Sequence, residues 1–186
     1  MGAPISWRPT GSSSNVDVDE ESPFPVQLIN PRVAGYGLSI SQTPIVTAGA
    51  YSALDAVGGM LVFANAARYA GGAIIVHSVS ILDLAKVSAA LTLVLFDRPF
   101  TPTADNGVFD PSDADAGNCL GVIPVAAADY SAFNDWGIAT VRALGFGPFN
   151  LQGTHLFGQL FLPAGSAPTY ASVSDVKITL GIVQVD

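Results

Sequence analysis

The two histidines are the side chains of this sequence best suited to proton transfer near neutral pH, and most general-base, triad or metal schemes would have to use one of them. His77 lies in the middle of an apolar run, where a packed or hydrogen-bonded role is favoured over catalysis. His155 follows Gly153 and Thr154 at the start of another run, so we expect it to be exposed. No G-x-S-x-G pattern supports a serine nucleophile. The sequence therefore predicts no enzymatic activity and no catalytic residues.

Residues 110–118 carry acidic and amide side chains of the kind that a hard cation such as Ca²⁺ prefers. Their oxygen-bearing members are Asp110, Asp113, Asp115 and Asn118. An EF-hand loop that started at Asp113 would place Pro124 at position twelve, where a carboxylate is required. We interpret the run instead as a short helix over 110–116, with Asp110 as its N-cap and an end at residues 117–118.

Other cofactor sites find no support in the sequence. Cys119 is the only cysteine, which excludes an intrachain disulfide and a cysteine-rich zinc site and fits a reducing compartment best. The glycine pairs at 58–59 and 71–72 precede apolar runs and lack the Lys-Ser/Thr that follows a phosphate-binding loop. We predict neither a metal nor a cofactor.

The charge of the chain excludes nucleic acid as a partner. Seven basic and fifteen acidic residues give a net charge of −8, which repels a phosphate backbone. Only 12% of the residues are charged, about half the usual share, while 49% are hydrophobic. Two long stretches, 33–54 and 143–174, carry no Asp, Glu, Lys or Arg, yet neither is a run of ~18 apolar residues that could form a membrane helix. We expect that much of the surface is covered by a partner or by copies of the same chain.

Residues 1–25 have neither a helical nor a strand periodicity, and we predict that they form an extended N-terminal arm. An aromatic side chain in a polar arm is typical of an anchor on another protein, and the acidic cluster could attract a basic partner. The candidate partner-binding residues of the arm are Trp7, Arg8, Asp17, Asp19, Glu20, Glu21 and Phe24.

Residues 26–186 read as one all-β domain, because short runs rich in Val, Ile, Leu, Thr and Phe alternate with Gly, Pro, Asn and Asp. The predicted strands are 26–30, 37–41, 44–48, 57–64, 73–82, 90–96, 120–125, 138–143, 154–162 and 176–185. Residues 126–135 could add a helical turn. Strict alternation along 73–82 puts apolar residues on both faces, which predicts a strand that is covered on one side by its own core and on the other by a neighbour. We expect a jelly-roll-like β-sandwich, with an immunoglobulin-like strand order as the open alternative.

Two stretches of the sequence resemble small structural proteins of tailed-bacteriophage head modules. The first is LTLVLFDRP at 91–99, followed by DNGVFDPSDAD at 105–115 and LGVI at 120–123. The second is GQLFL at 158–162, which leads into APTYAS at 167–172 and DVKITLGI at 175–182. The likeness covers about residues 59–186 and leaves out the arm, and its motifs are strand and turn residues without a catalytic signature.

The resemblance implies a capsid decoration or cement protein. Such a protein is made in the host cytoplasm and binds, as a dimer or a trimer, to the major capsid protein on the outer surface of the virion. Two other roles stay open: another virion component, such as a head-fibre base or a tail-associated protein, and a carbohydrate-binding β-sandwich module.

Overall fold

The computed structural model describes residues 36–185, which form an all-β sandwich, as the sequence predicts. Its strands are, in chain order, β1 (Tyr36–Gln42), β2 (Ala56–Phe63), β3 (Ala73–Asp83), β4 (Leu91–Phe96), β5 (Cys119–Val125), β6 (Tyr130–Ala132), β7 (Gly137–Val141), β8 (Phe146–Asn150), β9 (Leu156–Phe161) and β10 (Val176–Val185). A helical turn, α1 (Asp113–Ala116), and a 3₁₀ turn (Ala127–Asp129) interrupt them. The predicted arm over 1–25 and the predicted strand over 26–30 lie outside the described residues.

The strands pair in a nested order. From the two ends of the described residues towards the middle, β1 pairs with β10, β2 with β9, β3 with β7, and β4 with β5, and all four pairs are antiparallel. The large sheet has the order β1-β10-β3-β7-β6, with β8 also paired to β3, and the small sheet has the order β2-β9-β4-β5. Eight antiparallel strands wrapped in this way form a jelly roll, so the immunoglobulin-like alternative is excluded.

The main core fills the space between the two sheets. It includes residues from the inner faces of both sheets that are no more than 2% exposed: Phe63, Ile74, Val76, Val79, Ile81, Leu93, Leu95, Ile123, Leu156, Leu160, Ile178, Leu180 and Ile182. Strands distant in the sequence supply them, because the chain passes between the two sheets from β1 to β2, to β3 and to β4, and again from β8 to β9 and to β10. Burial of these side chains is what holds the two sheets together.

A bulge in β3 corrects the predicted strand faces. Val76 pairs with Ile182 whereas Ser78 pairs with Gly181, so His77 is an extra residue opposite β10. The bulge reverses the alternation: Val76 points to the core before it, and Val79 points to the core after it. The inner side of β3 is fully buried, as predicted, whereas its outer residues from Ser78 to Leu82 are half-buried in the single chain, so cover of the outer side by a neighbour stays a prediction.

The small sheet is the one that is covered on both sides. Every residue of β4 is buried. The outer face of β4 and β9 carries a second cluster of buried residues made of Val94, Phe96, Phe100 and Phe157. Phe100 belongs to the connection 97–118, which lies over this face, and its ring stacks on Phe96 with ring centroids 4.0 Å apart. Phe109 of the same connection stacks on Phe161 at 4.6 Å.

One buried amide ties the connection 97–118 to the small sheet. Gln159 of β9 has no exposed surface, and its Nε2 donates to the carbonyl oxygens of Gly58 at 2.8 Å and Thr103 at 2.6 Å. Its Oε1 accepts from the backbone N–H of Thr103 at 3.1 Å. Since the fully buried side chain makes three hydrogen bonds, it fixes the connection against the strand.

A second polar cluster holds the middle of the connection at the edge of β2. The carboxylate of Asp105 accepts from Thr47 Oγ1 at 2.6 Å, from Tyr51 Oη at 2.7 Å and from the backbone N–H of Gly58 at 2.5 Å. Burial raises the pKa of Tyr51 well above its usual value, and the hydrogen bond to Asp105 raises it further. Backbone hydrogen bonds between residues 54–56 and 106–109 then cover the first part of β2.

Several local predictions differ from the structure. Residues 44–48 form no strand, because the backbone N–H of Val46 donates to the carbonyl of Val173, which lies in a loop. β6 and β8 were not predicted, the first because it has three residues and the second because it contains Pro148. Residues 126–135 form the 3₁₀ turn followed by β6 rather than a longer helical turn. None of the helices among residues 36–185 is long and apolar enough to cross a membrane.

Candidate functional site

The outer face of the large sheet, in contrast to that of the small sheet, is lined by small and polar side chains. The strand residues that point outward on β1, β10, β3 and β7 include Ser39, Ser41, Lys177, Thr179, Ser78, Ser80, Leu82, Ile138 and Thr140. Their hydroxyls pair with one another across strands: Ser41 Oγ lies 2.8 Å from Thr179 Oγ1, and Ser80 Oγ lies 3.1 Å from Thr140 Oγ1. Four hydroxyls of this face therefore already have partners.

An apolar groove lies at one end of this face. It has a volume of about 400 Å³ and is lined by Ser80, Leu82, Leu84, Trp136, Ile138, Lys177 and Thr179. Leu84 follows β3, is 49% exposed, and is held by a backbone hydrogen bond from its N–H to the carbonyl of Asp175 at 2.8 Å. An exposed leucine on a fixed backbone beside a tryptophan is typical of a surface that is covered when a partner binds.

The hairpin between β6 and β7 forms the wall of the groove. The backbone N–H of Phe133 donates to the carbonyl of Trp136 at 2.7 Å and closes a tight turn whose two central residues are Asn134 and Asp135. The rings of Phe133 and Trp136 stack, with centroids 4.2 Å apart. Lys86 Nζ donates to the Asn134 carbonyl at 3.1 Å and holds the turn from the other side. The aromatic pair is thus presented on a rigid turn.

Tyr130 anchors the same hairpin to the body of the protein. It packs against the main core, and burial raises the pKa of its hydroxyl well above the usual value. The negative charges of Asp83 and Asp129 raise this pKa further. The phenol is consequently neutral at any physiological pH.

The chemistry of the groove is that of a contact surface. Lys177 is its only ionisable lining residue, and among residues 36–185 no carboxylate lies within ion-pair distance of the Lys177 amine. A second cavity, of about 300 Å³ and lined by residues of 87–90, Ala127 and 164–168, has no His, Cys, Asp or Glu in its wall. Neither cavity brings together an acid and a base. In the described part of the chain, no three His, Cys, Asp or Glu side chains are grouped as metal ligands.

The residues that sequence reasoning singled out for chemistry lie apart from the groove or outside the described residues. His77 is exposed at the β3 bulge, which corrects the packed position predicted for it, and its carbonyl accepts from Leu144 at 3.0 Å. His155 is half-buried rather than exposed, because its Nδ1 accepts from the backbone N–H of Asn65 at 3.2 Å. The arm residues Trp7, Arg8, Asp17, Asp19, Glu20, Glu21 and Phe24 are outside the described residues and stay predictions.

The acidic run at 110–118 serves local structure. Its helix begins after Ser112, not after Asp110, because Asp110 is held by a hydrogen bond from its N–H to Thr103 Oγ1 at 3.1 Å. Asp115 Oδ2 accepts from Ser112 Oγ at 2.7 Å and from the backbone N–H of Thr101 at 3.1 Å. The predicted end of the helix at Gly117 is confirmed.

Sequence reasoning missed the groove itself. Trp136, Phe146 and Phe149 lie in Gly- and Pro-rich parts of the sequence, which leaves two alternatives for each of them: contact with a partner or sealing of the end of the sandwich. The structure separates them: Phe146 and Phe149 pack edge to face, 4.9 Å apart, against the core. Trp136 instead stacks on Phe133 at the surface. A sequence signal did exist, since two aromatics flank a two-residue Asn-Asp turn in a hairpin.

No protein-family model matches the chain, and no curated protein matches it significantly. Solved structures do match over most of its length at low similarity. One is Desmodium yellow mottle tymovirus, with 9% identity, a TM-score of 0.26 and 94% of each chain covered. Another is a full particle of Israeli acute paralysis virus heated to 63 degrees, with 12% identity, a TM-score of 0.28, and 100% of this chain and 79% of that chain covered. Scores this low carry no argument about function.

Proposed function

We propose that this protein is a structural component of a virion, a decoration or cement protein that binds the major capsid protein on the outer surface of the capsid and stabilises the shell. The observation that carries the proposal is the apolar groove with its Phe133–Trp136 wall on an otherwise bare, nearly uncharged sheet face. The sequence resemblance of residues 59–186 to phage head proteins directs the proposal to a capsid. The protein would be made in the host cytoplasm and recruited to the shell there.

A protein partner suits the groove better than a small molecule does. The groove is lined mainly by Leu82, Leu84, Ile138 and Trp136, whereas small-molecule sites present several convergent polar groups. Exposed tryptophans next to apolar pockets are the residues that contribute most to protein interfaces. Lys177 on the rim gives a single positive charge that a carboxylate of the partner could meet.

The fold alone does not choose between roles, because jelly rolls serve as viral capsid proteins, lectins and cupins. A cupin-type enzyme would need a metal centre inside the sandwich, and the space between the sheets is filled here by apolar side chains such as Phe63 and Leu93. A shell-bound role fits the low charge, since a chain with 12% charged residues has large areas suited to being covered.

Shell binding tests the proposal directly. Trp136→Ala and Leu84→Ser should lower the affinity for purified shells that lack this protein, the first by roughly 30-fold or more, because truncated anchor residues cost about 2 kcal/mol or more. Val122→Ser is the matched control: Val122 is 53% exposed, close to the 49% of Leu84, but lies on β5 of the small sheet. Equal binding by all variants would overturn the use of the groove.

Stabilisation of the shell is a separate measurement. Shells loaded with the native protein should melt at a higher temperature than bare shells, because many weak contacts on one particle gain from effective concentration. An unchanged melting temperature at full occupancy would refute the cement role and leave only decoration.

The arm provides a second, independent contact in this proposal. Deletion of residues 1–25, which removes Trp7, Arg8, Asp17, Asp19, Glu20, Glu21 and Phe24, should reduce occupancy on shells while the unfolding transition of the remaining domain is retained. If occupancy is unchanged, the assigned role of these seven residues is wrong.

Carbohydrate binding is the second candidate, and the stacked aromatic pair is the observation that favours it. A sugar ring packs on an aromatic face, but it also needs several polar groups that converge on it. The hydroxyls of Ser80 and Thr179 are instead paired with Thr140 and Ser41. Binding on a glycan array that Trp136→Ala abolishes would establish this role, and labelling on intact particles would distinguish a capsid position from a head-fibre base or a tail position.

A further inference from the structure

We infer that β1 is a self-association strand, through which two copies of this chain join their large sheets edge to edge into one continuous sheet. β1 is an edge strand of the large sheet, with β10 as its hydrogen-bonded neighbour. Within residues 36–185, the backbone groups of residues 36–42 form hydrogen bonds only with β10. Every second residue of an edge strand directs its N–H and C=O groups away from the sheet, so β1 offers a row of them.

The other edge strands of the described sandwich each have a feature that hinders pairing with a further strand. β6 has three residues, and β8 contains Pro148 next to Gly147, whose φ is +128°. β5 contains Pro124 and shifts register at Gly121, whose φ is +138°. β2 shifts register after Val57 and is covered at its start by residues 106–109. Proline, bulges and covering loops are the devices by which proteins prevent edge pairing, and among residues 36–185 β1 alone lacks them.

The charge pattern favours a second copy as the occupant of this edge. Two chains of net charge −8 repel each other over most of their surfaces. Residues 33–54, which contain β1 and the segment after it, carry no charged side chain. Two copies that approach through β1 therefore avoid like-charge contacts. The uncharged strand of seven residues can pair with its own copy as readily as with any other strand.

The sequence of β1 is self-complementary in one antiparallel register. When the two-fold axis passes through Ser39, all seven residues pair: Ser39 faces Ser39 of the copy, Leu38 faces Ile40, and Gly37 faces Ser41. Small residues then meet on the outer side and apolar residues on the inner side, because opposed residues in an antiparallel pair share a face. Leu38 and Ile40, which are half-exposed in one chain, gain cover from the copy.

This pairing deepens the proposed function, on which its biological use rests. A two-fold axis perpendicular to the joined sheet places both outer faces, and so both grooves, on the same side of the dimer. A dimer of this kind can contact a shell with two grooves at once, which raises the overall affinity through effective concentration. The edge pairing also limits the oligomer to a dimer, because a two-fold pairing is complete with two copies.

The test is the mass and cross-linking of the full chain in solution, without shells, so its failure is distinguishable from failure of shell binding. The native protein should sediment as a dimer, with twice the mass of the 19.1 kDa chain. Ser39→Lys puts two positive charges opposite each other at the axis and should raise the dimer dissociation constant about 100-fold. Ser131→Lys is the matched control, because Ser131 is also an exposed serine on an edge strand, β6, of the same sheet.

A disulfide trap tests the register without depending on the lysine variant. In a Cys119→Ser background, Ser39→Cys should form a cross-linked dimer under mild oxidation, since opposed residues in an antiparallel pair have Cα atoms about 4.5–5.5 Å apart, within reach of a disulfide. Ser131→Cys in the same background should stay uncross-linked. A native protein that is monomeric or trimeric, a dimer unaffected by Ser39→Lys, or equal cross-linking at both positions would each overturn the inference. So would a dimer that is lost only when residues 1–25 are deleted.

Discussion

The outer faces of the two sheets are built from similar strands but have opposite surroundings. The face of the small sheet carries Phe96, Phe157 and Phe161 and is covered by the chain's own connection 97–118. The face of the large sheet carries mainly serine, threonine and glycine, and neither buried hydrophobic cluster of residues 36–185 lies on it. A face that the chain covers itself contributes to stability, whereas a bare face is available to partners. The two faces can therefore be told apart by whether mutations change unfolding or binding.

The largest effect is expected at the covered face. Phe96→Ala removes a fully buried ring that stacks on Phe100, and it should lower the free energy of unfolding by about 4 kcal/mol, as other buried Phe→Ala changes do. Urea unfolding followed by fluorescence measures it. Phe133→Ala, at a half-exposed ring on the bare face, is the contrast and should cost less than about 1 kcal/mol. Similar losses in the two variants would remove the distinction between the faces.

Loss of the buried amide should have the next largest effect. Gln159→Ala leaves the carbonyls of Gly58 and Thr103 and the N–H of Thr103 without partners, at a cost of about 3 kcal/mol in unfolding free energy. Hydrogen exchange should at the same time accelerate in the connection 97–118 more than in β3 or β10. Gln152→Ala, at an exposed glutamine, should change neither quantity. Uniform acceleration over both sheets would mean that Gln159 does not hold the connection specifically.

The root of the groove hairpin gives a smaller effect that depends on pH. The pKa of Tyr130 is raised in the folded protein, so from its ordinary value of about 10 upward the unfolded chain loses a proton that the folded protein keeps. The contribution of the protonated Tyr130 to the free energy of unfolding is therefore fully present below pH 10 and is lost as the pH rises above it. Between pH 8 and pH 11, Tyr130→Phe should lose about 1 kcal/mol less unfolding free energy than the native protein. Equal losses in both proteins would contradict the burial of this phenol.

The smallest effect on stability is expected at the groove. Leu84→Ser replaces a half-exposed side chain and keeps the backbone hydrogen bond to Asp175, so unfolding should change by no more than about 0.5 kcal/mol. The same variant should bind shells measurably less well. If Leu84→Ser lowers the free energy of unfolding markedly but leaves shell binding unchanged, the groove belongs to the folded core and not to the partner surface.

The strands were predictable wherever local pattern determines them. Nine of the ten predicted strands fall within or overlap the described residues, and eight of these correspond to strands of the sandwich, with 176–185 matching β10 at both ends. The failures have separate physical causes. Residues 44–48 have strand-like side chains but find no neighbouring strand, and Pro148 of β8 hid a strand that pairs only over part of β3.

The candidate site could not be predicted to the same extent, because it depends on contacts between distant parts of the chain. Leu84, Trp136 and Lys177 share one groove only because β3 lies between β7 and β10. Likewise, alternation along 73–82 gave the wrong faces, since a single extra residue at His77 changes the phase and only the partner strand reveals it. The low charge of the chain did indicate a covered surface, although it did not show which face is bare.

The nested order of the strands also determines when the proposed partner surfaces form during synthesis. β10 lies between β1 and β3, and Tyr36 pairs with Gln184, so the large sheet cannot close until the ribosome has made almost the whole described chain. Such distant pairings make folding slow compared with that of local hairpins. β4 and β5, by contrast, can pair early. Nascent chains therefore lack the groove and a sheet edge backed by β10 until β10 itself has been made.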